Sequence, residues 1–202
     1  MGVNLGEVGF LNATAPEEAV DVVRTVVARH ARGEGTIREM PRVTAAGDDW
    51  ELPPALNEIV VMGPQRGHGR GVEVEVRVDG SLYSGGRADG VLVATPTGST
   101  AYNLSEGGPL VHPAVEGLVV TEMCARGGMP PLVVAPDSEV TVRVDVTDSR
   151  YDSNGDPPVV VTDGRISREI PPSTDIALRR AETPVRVAGP DLNFFTALGK
   201  LD

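Results

Sequence analysis

The chain has 202 residues, enough for one large domain or a domain and part of a second, and it is 40% hydrophobic but only 3% aromatic, so its core must be Val, Leu, Ile and Ala. Asp and Glu number 29 against 18 Lys and Arg, a net charge of −11 that argues against a nucleic-acid partner, since phosphate repels it. No run approaches the ~18 apolar residues of a membrane helix, no basic N-terminus leads into an apolar signal region, and one cysteine, Cys124, leaves no disulfide framework or Cys-based zinc site. The expected compartment is the cytoplasm. Lys200 is the single lysine, which reads either as a halophilic adaptation or as the arginine bias of a GC-rich genome.

The first eleven residues form an apolar, glycine-punctuated stretch that resembles the middle of a domain. A helix is predicted next, with Thr14 as N-cap, Glu17 completing a capping box and Pro16 in the first turn. Ala19, Val20, Val23, Val26 and Val27 make its apolar face, and Gly33 or Gly35 ends it.

After the helix the period changes to two. Val72, Val74, Val76 and Val78 alternate with charged residues up to an Asp79-Gly80 hairpin turn, and Val140, Val142, Val144 and Val146 repeat the pattern. Residues 56–62, 90–94, 131–135, 159–162, 166–170, 176–180 and 185–188 read as further strands, and 191–201 as a short closing helix. Residues 145–158 are acidic and turn-rich, hence a loop. Roughly ten strands at short spacing predict a β-sandwich or a related two-layer β fold.

One segment carries chemistry. Strand 90–94 delivers the chain into Thr95-Pro-Thr-Gly-Ser-Thr100, followed by a helix start at Ala101-Tyr102. Free N–H groups, hydroxyls and a positive helix end there would suit phosphate or ribose oxygens, although an ordinary capped helix has the same look. Asp89, before the strand, is placed either for ribose hydroxyls or as turn chemistry. Asn57-Glu58 interrupts an apolar strand and faces either solvent or a polar ligand. His68 and His112 have no neighbour at metal-ligand spacing, and no nucleophile–base set can be argued from spacing.

Taken together these pieces resemble the NAD kinase family. The string Thr-Pro-Thr-Gly-Ser-Thr-Ala-Tyr-Asn-Leu-Ser-Glu-Gly-Gly-Pro (95–109) is the most specific part. Asn-Leu-Gly-Glu-Val-Gly-Phe-Leu (4–11), Leu-Asn-Glu-Ile-Val (56–60), Arg-Ala-Asp-Gly (87–90), Val-His-Pro (111–113), Pro-Leu-Val-Val (131–134), Thr-Asp-Gly (162–164) and the closing Phe-Phe stretch (194–201) are collinear with it. The resemblance implies phosphoryl transfer from ATP, or polyphosphate, to the 2′-hydroxyl of the adenosine ribose of NAD, making NADP with a divalent cation, Mg. It implies a mainly β chain with a few helices: a β-sandwich-like C-terminal domain of a two-domain α/β plus β fold, the N-terminal α/β domain largely missing. Residues 1–45 would be a remnant of that domain, 46–188 the β-rich NAD-binding domain, and 189–202 a returning helix. Homodimers or homotetramers are implied, with the NAD site completed by a neighbouring subunit.

By matched position, Asn57 and Glu58 would hold NAD, Glu58 near ribose hydroxyls. Asp89, with Arg87 beside it, would reach the nicotinamide part from the neighbouring subunit. Thr97, Thr100, Ala101, Tyr102, Asn103, Leu104 and Ser105 would line the nucleotide pocket, with Asp163 and Arg165 nearby; either Arg70 or His68 fills a basic position. Two departures stand out. Arg165 replaces a glutamine found in many members, and the family's Gly-Gly-Asp-Gly motif, which carries the proposed general base, does not occur in these residues. The alternative is therefore a non-catalytic NAD(P)-binding module.

Overall fold

The computed structural model describes residues 2–3, 12–64, 71–146, 157–189 and 194–198. They belong to two units, residues 1–40 with 184–202, and residues 41–183. Strands and helices are numbered in chain order.

In the smaller unit, β1 (Gly2–Val3) pairs in parallel with β2 (Asn12–Thr14), and β3 (Ile37–Met40) pairs antiparallel with β15 (Val185–Ala188). A 3-10 turn (Pro16–Glu18) leads into α1 (Ala19–Ala31), and Gly33, at φ +73°, ends it. The predicted capping box does not form. Thr14 is held extended by pairing with Val3, so it lies outside the helix, and its hydroxyl stands 3.5 Å from Glu18 Oε2 instead of at a helix N–H. Nor is the predicted apolar face buried: Val20, Val23 and Val27 are 60%, 45% and 62% exposed. The short closing helix, α3, is described over Phe194–Leu198.

The larger unit is two antiparallel sheets. The six-stranded sheet runs β10 (Leu132–Val134), β9 (Leu118–Met123), β8 (Gly90–Ala94), β5 (Glu58–Met62), β12 (Val159–Thr162), β13 (Ile166–Glu169). The five-stranded sheet runs β4 (Val43–Ala46), β14 (Asp175–Arg180), β11 (Val140–Asp145), β6 (Val72–Val78), β7 (Ser81–Ala88). One apolar cluster joins them, with Ile59, Val61, Val91, Val93, Leu118 and Val120 from the first and Val74, Val76, Val142, Ile176 and Leu178 from the second. The sandwich predicted from strand spacing is thus present. The predicted hairpin is present too: Asp79 (φ +50°) and Gly80 (φ +78°) have the left-handed pair of angles that a two-residue turn between twisted strands requires.

The two sheets read differently in sequence for a physical reason. β6 and β11 alternate because their second face meets water. β5, β8 and β9 are near-continuous apolar runs because both faces are covered. Their outer face carries a second cluster, Val60, Leu92, Ala94, Val119 and Met123, packed against Tyr102 and Val111. The segment 95–111, which folds as a 3-10 turn (Gly98–Thr100) and the single-turn α2 (Tyr102–Ser105), supplies those covering residues.

Leu92, fully buried under that cover, and Leu82, 60% exposed on β7, give a test. Leu92→Ala should cost about 2–5 kcal/mol in urea denaturation and Leu82→Ala within roughly 0.5 kcal/mol. Equal costs would contradict a two-sided core.

Candidate functional site

At the start of β5 the backbone of residues 56–58 is committed throughout. The Asp163 carboxylate accepts three N–H bonds, from Leu56 to Oδ2 (2.8 Å) and from Asn57 and Glu58 to Oδ1 (2.8 and 3.2 Å). The carbonyls are taken as well: Leu56 accepts from the Thr95 hydroxyl (2.6 Å), Asn57 from the Thr95 N–H (2.8 Å) and Glu58 from the Asp163 N–H (3.0 Å). Asp163 reaches back because it opens the β12–β13 turn, with Asp163 at φ +47° and Gly164 at φ +64°, closed by the Arg165 N–H on the Thr162 carbonyl. With the main chain satisfied, the side chains of Asn57 and Glu58 remain available.

Among the described residues Glu58 is the one charged member of the buried set, at 7% exposure, and its Oε2 has no hydrogen-bond partner. Burial raises its pKa from the usual 4.5 to about 7, and the neighbouring Asp163 charge adds to the rise. The β5 register pairs Glu58 with Ala94, at the end of β8 where the chain enters the segment 95–111. Glu58 shares its face of β5 with Val60, hence the outer, covered face of the sheet.

That segment is held by its own polar groups. The Thr95 hydroxyl also accepts the Gly98 N–H (3.1 Å), and Ser99, fully buried, donates to the Pro96 carbonyl (2.6 Å) and accepts the Val111 N–H (3.0 Å). A Cβ on Gly98 would collide with the Asn57 carbonyl, so only glycine allows the segment to lie this close to β5. Asn103, also fully buried, donates to the Pro109 carbonyl (3.1 Å) and accepts from the Thr121 hydroxyl (2.8 Å).

The structure therefore changes the reading of this segment. The expected free N–H groups are already bonded, Ser99 to Thr95, Thr100 to Thr97 and Ala101 to Gly98, and α2 has four residues, too few for a useful helix dipole. Asn103 faces inward and staples the cover to β9. Thr97 is buried; Thr100, Ala101, Tyr102 and Leu104 are half-buried; Ser105 and Arg165 are exposed. Arg87 bonds the Gly71 carbonyl (2.9 Å) and lies 3.8 Å from Glu73. Arg87 and Asp89 stand at the other end of β8 from Ala94 and Glu58, roughly 15 Å away along a five-residue strand. His68 and Arg70 lie outside the described residues. Ser99, one of the hydroxyls of the turn 95–100, serves the backbone instead of a ligand, and Thr121 and Thr162 give no site signal in sequence because a buried hydroxyl leaves none. Among the described residues no group of three or more His, Cys, Asp and Glu is arranged to hold a metal ion.

The ATP-NAD kinase C-terminal domain family matches residues 56–189. The NAD kinase of Haloarcula marismortui is 59% identical over 202 residues, spanning 100% of this chain and 69% of that protein. This chain belongs to the NAD kinase family. The family's NAD kinase from Halobacterium salinarum is 58% identical over 205 residues, covering 100% of this chain and 71% of that protein. The crystal structure of an NAD kinase from Archaeoglobus fulgidus in complex with ATP matches with a TM-score of 0.80 at 29% identity, covering 99% of this chain and 72% of that one. Yeast NADH kinase complexed with NADH matches with a TM-score of 0.80 at 22% identity, over 98% of this chain and 57% of that one, and shares the fold. These family members are kinases, and the mainly β fold expected by resemblance is theirs.

Two outcomes follow. The fold favours protonated Glu58, so its contribution is complete below the usual value of 4.5 and is lost as pH rises through about 7. Glu58→Gln should gain on the wild type in thermal stability between pH 5 and 8, by up to about 3 kcal/mol. A constant difference across that range would contradict a buried, uncompensated carboxyl. Asn103→Ala strands the Thr121 hydroxyl and the Pro109 carbonyl and should cost about 1–3 kcal/mol in the same denaturation experiment.

Proposed function

We propose that this chain acts as an NAD kinase, passing a phosphoryl group from ATP, or from polyphosphate, to the 2′-hydroxyl of the adenosine ribose of NAD. The observation that carries the proposal is the Asn57-Glu58 pair, whose backbone is fully bonded while the buried Glu58 Oε2 is left without a partner. A buried carboxylate with an open oxygen suits the adjacent hydroxyls of a ribose, which can satisfy both of its oxygens. Family membership supplies the reaction, and the ATP complex of the Archaeoglobus fulgidus relative supports ATP as donor.

Phosphoryl transfer depends on positioning and on charge stabilisation around the moving group. The part assigned to this chain's residues is positioning: Asn57 and Glu58 hold the acceptor ribose, with Thr100, Ala101, Tyr102, Leu104 and Ser105 as pocket wall. Thr97, Asn103 and Asp163 act behind them by shaping backbone. Arg165 would stand at the pocket's rim. A divalent cation, Mg by family resemblance, would arrive with the phosphates of the substrate. Arg87 and Asp89, remote from Glu58 within one chain, would serve the site of a neighbouring subunit, which makes a homodimer or homotetramer part of the proposal. A cytoplasmic location and a halophilic surface complete it, the latter resting on the net charge of −11 and the single lysine.

A second reading is a non-catalytic NAD(P)-binding module, since the residues assigned above position the ribose without moving its proton. NADP formation from NAD and ATP with magnesium in molar KCl separates the two. Turnover supports the kinase; NAD binding by calorimetry without turnover supports the module; neither overturns both. Asp89→Ala should weaken NAD binding with the melting temperature unchanged. The melting temperature of the wild type should climb between low and molar KCl as carboxylate repulsion is screened; a flat response would sink the salt adaptation.

A further inference from the structure

We propose that Asp163 is the positioning residue of the nucleotide site: it holds Asn57 and Glu58 in place through backbone N–H groups, and its carboxylate adds to the burial of Glu58 in making ribose binding release a proton. This rests on the reading of Asn57-Glu58 as the ribose-holding pair.

The geometry shows why an aspartate serves here. Both Asp163 oxygens point at N–H donors, one for Leu56 and one shared by Asn57 and Glu58. An asparagine would turn an NH2 group onto one side of that set. The same residue must adopt φ +47° at the head of the three-residue turn 163–165, which Asp tolerates and a glutamate favours less. Asp163 is thereby tied to β12 and β5 at once, and a shift of its carboxylate moves residues 56–58 together.

The charge consequence follows from what surrounds Glu58. Within β5 the other residues, Ile59 to Met62, are apolar, and β8 (Gly90–Ala94) brings no charge. The cover 95–111 carries one charged residue, the half-buried Glu106 at the end of α2, and Tyr102 is its other titratable group. The β12–β13 turn brings Asp163, with the exposed Arg165 after it. Among the described residues the charge that acts on Glu58 is therefore that of Asp163, and it has the same sign. Near pH 7 a substantial share of Glu58 is protonated before ligand arrives. A vicinal diol offers two O–H donors, which the carboxylate accepts on two oxygens; the acid presents its own O–H to one of them and loses an acceptor. Binding of the diol selects the carboxylate, and the Glu58 proton passes to the buffer.

The test is NAD binding by calorimetry on the full chain between pH 6 and 8, in phosphate and in Tris, whose ionisation heats differ. About half a proton should be released per NAD bound at pH 7, and affinity should fall up to tenfold per pH unit below 7. E58Q should abolish the proton release. D163N should weaken binding and move the midpoint of the pH dependence to lower pH, since its neutral side chain no longer opposes ionisation of Glu58. A merely structural Asp163 would weaken binding with the midpoint unmoved, and that result overturns the proposal. Should D163N lose its fold, D163E decides, since it keeps the charge and displaces the carboxylate from the three N–H groups: weaker NAD binding with the pH midpoint kept supports the proposal, and unchanged binding overturns it. Binding of NAD that is independent of pH and buffer overturns the inference alone; no binding at any pH overturns the ribose-site reading with it.

Discussion

The central strands β5, β8 and β9 are covered on both faces, and the rest of the larger unit follows from that. One face is satisfied by the five-stranded sheet. The other needs a separate cover, and the segment 95–111 supplies it with Tyr102 and Val111. A cover made of a short irregular segment brings many backbone groups into a dry place, and each needs a partner. This accounts for the density of hydroxyls there: Thr95 and Ser99 bond main chain that no helix or ladder satisfies. What looks in sequence like a ligand-binding turn is first a solution to burying backbone.

The same burial creates the site's electrostatics. Glu58 sits where the apolar sheet meets its polar cover, so it loses most of its water, and among the described residues no cation faces it. Asp163 accepts three backbone N–H bonds, whereas Glu58 beside it keeps an oxygen with no hydrogen-bond partner among the described residues. Leaving a buried carboxyl oxygen without a partner costs stability, and such a cost is common where a structure is prepared for a ligand.

Much of the strand pattern was legible. The alternating runs of β6 and β11, the Asp79-Gly80 turn and the apolar runs of β5, β8 and β12 all appear where side-chain periodicity puts them. β3, β4, β7 and β9 give no clear strand signal: Ser81–Ala88 has glycine, serine or arginine at five of its eight positions, and Leu118–Met123 breaks its apolar run at Thr121 and Glu122. The helix lies where the spacing puts it, but Val20, Val23 and Val27 of its apolar stripe are exposed, because periodicity shows that one side is apolar and cannot show what covers it. In the site, the Asn57-Glu58 pair stood out as polar residues in an apolar strand. The commitment of Asn103 and of the main-chain N–H groups of 99–101 did not, since both depend on partners distant in sequence or in turn geometry.

Sequence alone determined the class of the fold, the family and the identity of the residues worth watching, since those rest on local periodicity, turn chemistry and the order of motifs along the chain. Only the tertiary structure decided what each residue does. It set Asp163 against residues 56–58, more than a hundred positions earlier, and turned Asn103 inward to Thr121. It also parted Asp89 from Glu58 by the length of a strand. Those outcomes depend on which strands pair and in what register, and register is settled by packing two faces at once, which no local stretch of sequence encodes.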